Sequence, residues 1–167
     1  MDQVDRILAQ WHQERPDLDV TPMGMFGRFG RLRSILTSGL EDVFRAHGLS
    51  AASFDVLATL RRSGPPYALS PSDLIAWTMV TSGTMTNRLD KLEQAGLVSR
   101  EKNPEDGRGF VIALTQKGRD LIDAAVTDHV ANQHRLVGGL TDDEQTQLDG
   151  LLRKWLATIA PDGHDGK

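Results

Sequence analysis

The 167-residue chain contains no cysteine. That excludes disulfides, thiolate zinc sites, thiol catalysis and thiol redox sensing, and a cytoplasmic home is the simplest expectation. No stretch approaches the roughly 20 consecutive apolar residues that a membrane-crossing helix needs. The start, "MDQVDRILAQWHQERPDLD", lacks the basic opening and apolar centre of a secretory signal. There are no repeats and no low-complexity segment. The usual marks of an enzyme are missing too. The histidines at 12, 47, 129, 134 and 164 have no metal-ligand spacing, and no glycine-rich phosphate loop or serine elbow occurs. Paired acids such as Glu41-Asp42 and Asp142-Asp143 read as solvated or helix-capping groups. Neither a catalytic centre nor a metal or cofactor is expected.

What is present has an ordinary globular balance, 39% hydrophobic and 25% charged. The net charge of −4 is unevenly spread. Residues 1–20 hold five acids and two bases, and residues 120–167 hold nine acids and four bases. Residues 21–119 hold thirteen bases and nine acids. An acidic total around a basic middle is compatible with a nucleic-acid face, and equally with an unevenly charged solvated surface.

Hydrophobic periodicity predicts a mainly helical chain. A short helix over 3–14 carries Val4, Ile7, Leu8 and Trp11 on one side, and "RPDLDVTP" breaks it. A long amphipathic helix from Met23 to about His47 follows, striped by Phe26, Phe29, Leu32, Leu36, Leu40, Val43 and Phe44, with Gly48 as its stop. Ser50 caps a helix with Phe54, Leu57 and Leu60. Ser70, Pro71 and Asp73 open a short one as an Asp-type capping box. After "TMV", "TSGTMTNRLDKLEQAG" starts another, with Met85, Leu89 and Leu92 inward and Gly96 as its stop. "LVSREK" and "FVIAL" flank "NPEDGRG" as a hairpin. Two helices close the chain. One is striped by Leu121, Ile122, Ala125 and Val130. The other opens on a Thr141/Glu144 capping box and carries Leu148, Leu151, Leu152, Trp155 and Ile159. The polar end, 161–167, reads as a frayed tail.

Two short helices followed by a hairpin form a winged helix-turn-helix arrangement. Ser82, Thr84, Thr86, Asn87 and Lys91 lie off the Met85–Leu89–Leu92 stripe of the second helix. Short hydrogen-bonding side chains suit close approach to base edges, and Lys91 suits phosphate. A tight N-terminal cap region is the other reason for such poor helix formers. At the hairpin tip Arg108 stands between two glycines as a thin cation fit for a minor groove, with Asp106 able to hold it when DNA is absent. One such module contacts few phosphates, so a homodimer with two readers is expected. Its dimerisation region would be residues 21–49 and 116–160, around a DNA-binding domain at 50–115, with 1–20 as an extra helix and linker. The alternative is that the long helices fold back as a bundle within one chain.

"GLSAASFDVLATL" and "LSPSDLIAWTMVTSGTMTNRLDKLEQAGLVSREKNPEDGRGFVIALTQKGRDLI" resemble the MarR family of bacterial transcriptional regulators. The most specific part is Asp106-x-Arg108 running to Leu114-Thr115 and Lys117-Gly118. The resemblance covers about residues 23–160. It implies a homodimer on double-stranded DNA at a pseudo-palindromic operator, usually repressing until a small molecule binds. The chain also resembles the branch answering urate and related purines. That likeness rests on Trp11 in the extra helix, Asp55, Arg88 in the reading helix and Arg100 at the hairpin start. It implies a flat anion stacked on Trp11 and paired with arginine. It also implies an Asp55–Arg100 ion pair whose disturbance moves the helix bearing Arg88. Each residue has a plainer alternative. In these alternatives Trp11 staples the extra helix to the core, Arg88 touches phosphate instead of or as well as ligand, and Asp55 with Arg100 is a purely structural salt bridge. A MarR-type regulator answering phenolic compounds and a winged helix used for protein contact are the remaining alternatives.

Overall fold

Local capping chemistry sets the helix limits. In the computed structural model, which describes residues 1–78, 85–103 and 109–160, a side chain caps the start at five of the six described N-caps of the seven helices. They are α1 (Gln3–Glu14), α2 (Thr21–Ala46), α3 (Ala51–Arg62), α4 (Pro71–Trp77), α5 (Met85–Gln94), α6 (Gln116–Val137) and α7 (Asp142–Ile159). Asp2 and Asp5 form a reciprocal capping box for α1, as Thr141 and Glu144 do for α7. Ser50 and Thr115 accept the Ser53 and Gly118 N–H groups at the starts of α3 and α6. Each such cap contributes about 1 kcal/mol. At α4, Ser70 accepts the Asp73 N–H as expected. The Asp73 carboxylate, however, takes the Ser70 hydroxyl at 2.6 Å, so the expected box is only half made.

Two glycines end helices for a stated reason. Gly48 (φ +67) and Gly96 (φ +69) sit in the left-handed region, which costs other residues a steric penalty. After α5 the Gly96 and Leu97 N–H groups return to the Glu93 and Leu92 carbonyls at 2.8 and 3.0 Å. After α2 the Gly48 and Leu49 N–H groups return to Arg45 and Phe44 at 3.0 and 2.8 Å. Both closures satisfy carbonyls that a helix end leaves open.

The sheet holds one strand more than expected. β2 (Val98–Lys102) and β3 (Phe110–Leu114) pair antiparallel from Val98↔Leu114 to Lys102↔Phe110. β1 (Ala68–Leu69) adds to the other edge of β3, giving the order β1-β3-β2. Two residues carry no readable alternation, which is why the sequence hides this strand. The architecture is a winged helix-turn-helix embedded in long helices.

The core lies inside the winged part. Val56, Leu57 and Leu60 of α3, Leu74 of α4, Leu89 and Leu92 of α5, Ile112 of β3, and Ile122 and Ala125 of α6 are buried together. Outside it the apolar stripes are only partly covered. Phe44 is buried at the end of α2, but Phe26 is 59% exposed at its other end. Val130 of α6 is exposed rather than inward, because the buried stripe runs through Ile122, Ala125 and Asn132 and the 3.6-residue period turns Val130 away from it. No described residue of α7 is buried.

Two devices fasten the long helices to the reading module. Thr115 donates its hydroxyl to the Gly96 carbonyl (2.8 Å), and its N–H bonds Leu97 O at 3.1 Å. Lys117 Nζ reaches Ala95 O at 2.8 Å. A Cβ on Gly118 would lie 2.0 Å from that Leu97 oxygen. Gly118→Ala is therefore expected to destabilise the fold by about 2–3 kcal/mol, the upper part of the overpacking range. A lowered urea midpoint at unchanged m-value is the reading that checks it.

The second device is aromatic. His129 of α6 stacks on Phe44 (centroids 5.2 Å apart) and against Phe54 (4.8 Å), beside a His47–Asp128 contact of 2.8 Å. Burial among these rings pushes the His129 pKa below its ordinary 6.5. A depressed folded-state value means the unfolded chain binds the proton more readily. The stabilising contribution is thus complete above pH 6.5 and lost as the pH falls below it. Thermal melts should show a drop in Tm between pH 7.5 and 5.5 that His129→Phe reduces.

Candidate nucleic-acid interface

α4 and α5 are the two helices of the reading module, joined through residues 79–84. Met85, Leu89 and Leu92 turn inward on α5, as their three- and four-residue spacing requires. That leaves Thr86, Asn87 and Lys91 exposed and Arg88 half-buried. Four expected DNA contacts, Ser82, Thr84, Asp106 and Arg108, lie outside the described residues. Beyond the paired ends of β2 and β3, Asn103 N–H donates to Gly109 O at 3.0 Å.

One flank of α5 faces the start of α3 across a cleft of about 290 Å³. Ser50, Ala52, Ser53, Asn87, Arg88 and Lys91 line it. Two cations, two hydroxyls and an amide with no acid make a lining suited to an anion such as a backbone phosphate. The α3 serines were not among the expected contacts. Only the fold brings them beside Lys91.

The other flank is tied to the sheet. Arg100 of β2 bridges two carboxylates of α5: Nη2 donates to Asp90 Oδ1 at 2.5 Å, and Nη1 donates to Glu93 Oε2. The Phe110 ring lies 5.8 Å from the guanidinium carbon. The Asp90 hydrogen bond, ahead of the burial that opposes it, raises the Arg100 pKa above its ordinary value. This corrects the expected pairing. Arg100 takes Asp90 and Glu93 in place of Asp55, since α5 rather than α3 runs alongside its strand. The sequence held a usable signal, two acids three apart on the helix just before Arg100.

The four residues linked to a purine effector are not gathered within one chain. α1 lies along the first part of α2, with Leu8 against Gly24, Val4 against Gly27, and Asp2 and Asp5 on Arg28. Trp11 is therefore near the beginning of α2 and is 41% exposed. Asp55 is half-buried on α3, which follows the other end of α2. From Gly24 to Phe44 the helical rise alone is about 30 Å. Arg88 and Arg100 lie with the reading module, far from Trp11 of the same chain.

Among the described residues no cluster of histidines and acids could hold a metal ion, and no helix is long and apolar enough to cross a membrane.

Known proteins share this arrangement. Residues 47–109 match the model of the MarR family. The chain is 43% identical over 150 residues to the HTH-type transcriptional regulator PecS of Dickeya dadantii, covering 90% of both chains. The solved structure of AbsC, a MarR family transcriptional regulator from Streptomyces coelicolor, superposes with a TM-score of 0.76 at 25% identity, covering 87% of this chain and 98% of that one. A mutant MarR from E. coli complexed with operator DNA gives 0.69 at 26% identity, covering 87% and 97%. With capped helices, two-helix reader, three-stranded wing and relatives in agreement, the chain belongs to the MarR family: it is a DNA-binding transcriptional regulator and not an enzyme.

Proposed function

We propose that this regulator is a homodimeric repressor that holds a pseudo-palindromic operator until a small anionic aromatic molecule, urate or a related purine, binds. The observation that carries the dimer is an uncovered apolar face. Phe26, Phe29, Leu32 and Ile35 of α2 and Leu148, Leu151, Leu152 and Leu156 of α7 are all exposed. Trp155 sits edge-on to Phe26 and Phe29, at 5.6 and 5.8 Å, beside an apolar cleft of about 550 Å³. A contiguous face of this kind is the mark of an interface. A second copy covers it and sets two readers for successive major grooves. Residues 21–49 and 116–160 then serve dimerisation, and 50–115 serve DNA.

In this assignment Ser82, Thr84, Thr86 and Asn87 read base edges, Arg88 and Lys91 take phosphate, and Arg108, steadied by Asp106, enters the minor groove. Leu151→Asp is expected to convert the dimer into monomer by analytical ultracentrifugation, with operator binding lost. A variant that stays dimeric with normal operator affinity defeats the interface assignment.

The effector reading draws support from residue chemistry. Trp11 offers an exposed aromatic plane, and Arg88 and Arg100 offer cations that suit a flat anion. Because α2 holds Trp11 of the same chain far from these arginines, this reading takes the stacking plane from the second copy of the dimer. An anion that engages Arg100 draws it from Asp90 and Glu93 and so loosens the reading helix. Titrating a protein–operator complex with urate, xanthine, hypoxanthine and salicylate tests this. Release by purines, abolished in Trp11→Ala at unchanged operator affinity, is the expected result. Release by salicylate alone would favour the phenolic alternative.

A further inference from the structure

We propose that Arg100, Asp90 and Glu93 form an ion latch that fixes the rotation of α5 about its own axis and thereby sets sequence discrimination, with Arg100 as a positioning residue that need not touch DNA. The inward contacts of α5 cannot do this alone. Met85, Leu89 and Leu92 are apolar, and their burial is non-directional. It holds the helix against the body along one side, and a directional bond on a flank adds an orientation that burial energy does not specify. Base readout by Thr86 and Asn87 is unforgiving of such a roll. A turn of about 20° carries a side-chain tip some 2 Å, at the 5–6 Å radius of a helix with its side chains. That exceeds the tolerance of about 0.5 Å for a binding constellation.

The latch acts where control is needed. By the 3.6-residue period, Asp90 and Glu93 lie one turn apart on the flank of Thr86, opposite the flank of Arg88 and Lys91. Arg100 comes from a strand held in register, Arg100↔Ile112, with Ile112 fully buried. Its planar fork engages both carboxylates at once, with Phe110 beside it. A two-point bridge from a fixed strand to two successive turns opposes rotation in either sense.

Charge supports the same conclusion. A pair of carboxylates on a DNA-reading helix repels phosphate, so for bulk attraction to DNA both are liabilities. Arg100 neutralises only part of that charge. Positioning is a role that uses their negative charge and not merely their size.

That opposition supplies the test. The full-length Asp90→Asn/Glu93→Gln double variant keeps shape but releases Arg100. Its affinity would be measured by fluorescence anisotropy, without effector, for a duplex that the wild-type protein selects from a random pool and for a scrambled duplex of equal length. Removing two negative charges should tighten the scrambled duplex, while loss of the latch weakens the selected one about three- to tenfold. The two affinities thus move in opposite directions. Arg100→Lys, which keeps the charge but loses the fork, should weaken the selected duplex and leave the scrambled one unchanged. Equal shifts on both duplexes, in either direction, or no shift in either variant, would overturn the proposal. Because no effector is present, the outcome is independent of which small molecule the protein answers.

Discussion

The grip of α6 on the turn after α5 is the constraint on which the rest depends. Three successive carbonyls, of Ala95, Gly96 and Leu97, are held by Lys117 and Thr115, and Gly118 lets the helix backbone close on Leu97. Those carbonyls belong to the segment that ends the reading helix and begins β2. The same contacts therefore cap α6, stop α5 and place the wing. They also join the module that meets DNA to a helix that runs on into the outer region. A displacement of α6 at these contacts bears directly on the turn that ends the reading helix.

The charge pattern follows the same geometry. The chain as a whole is acidic, yet the cleft between α3 and α5 is lined by cations and hydroxyls. Its acids are placed elsewhere: on Arg28 at α1, on Arg61 from α6 and on Arg100 from α5. These pairs are largely exposed and each contributes little stability. Their value is directional, fixing where long side chains go. Asp123 fastens Arg61 of α3 to α6 at 2.7 Å, and Asn132 bonds the Gly39 carbonyl of α2 at 3.0 Å. Helices that touch mainly through small or apolar groups are given one orientation.

The proposed dimer rests on the contrast between the two halves. The winged half buries Leu57, Leu60 and Leu74 completely, whereas α7 buries none of its own described residues. Exposed Phe26 and Leu151 would face water in isolation, at a cost near 25 cal/mol for each Å² of apolar surface. An arrangement stable on one side and unsatisfied on the other is consistent with assembly into a dimer of readers.

The sequence by itself determined the helix limits and the inward stripes of α3 and α5, because capping and periodicity act within a few residues. Ser50, Gly48, Thr141 and Gly96 work where their local chemistry requires. The two hairpin strands and the inward Met85, Leu89 and Leu92 were legible for the same reason. Only the tertiary structure decided which partner a long side chain finds. Arg100 reaches Asp90 rather than Asp55, Ser50 and Ser53 join Lys91, and Trp11 stands a helix length from Asp55, since each depends on how separate elements cross. The two-residue strand β1 exists only because β3 offers it an edge. Spacing along a chain sets what one helix or strand does, and packing between elements sets what a site becomes.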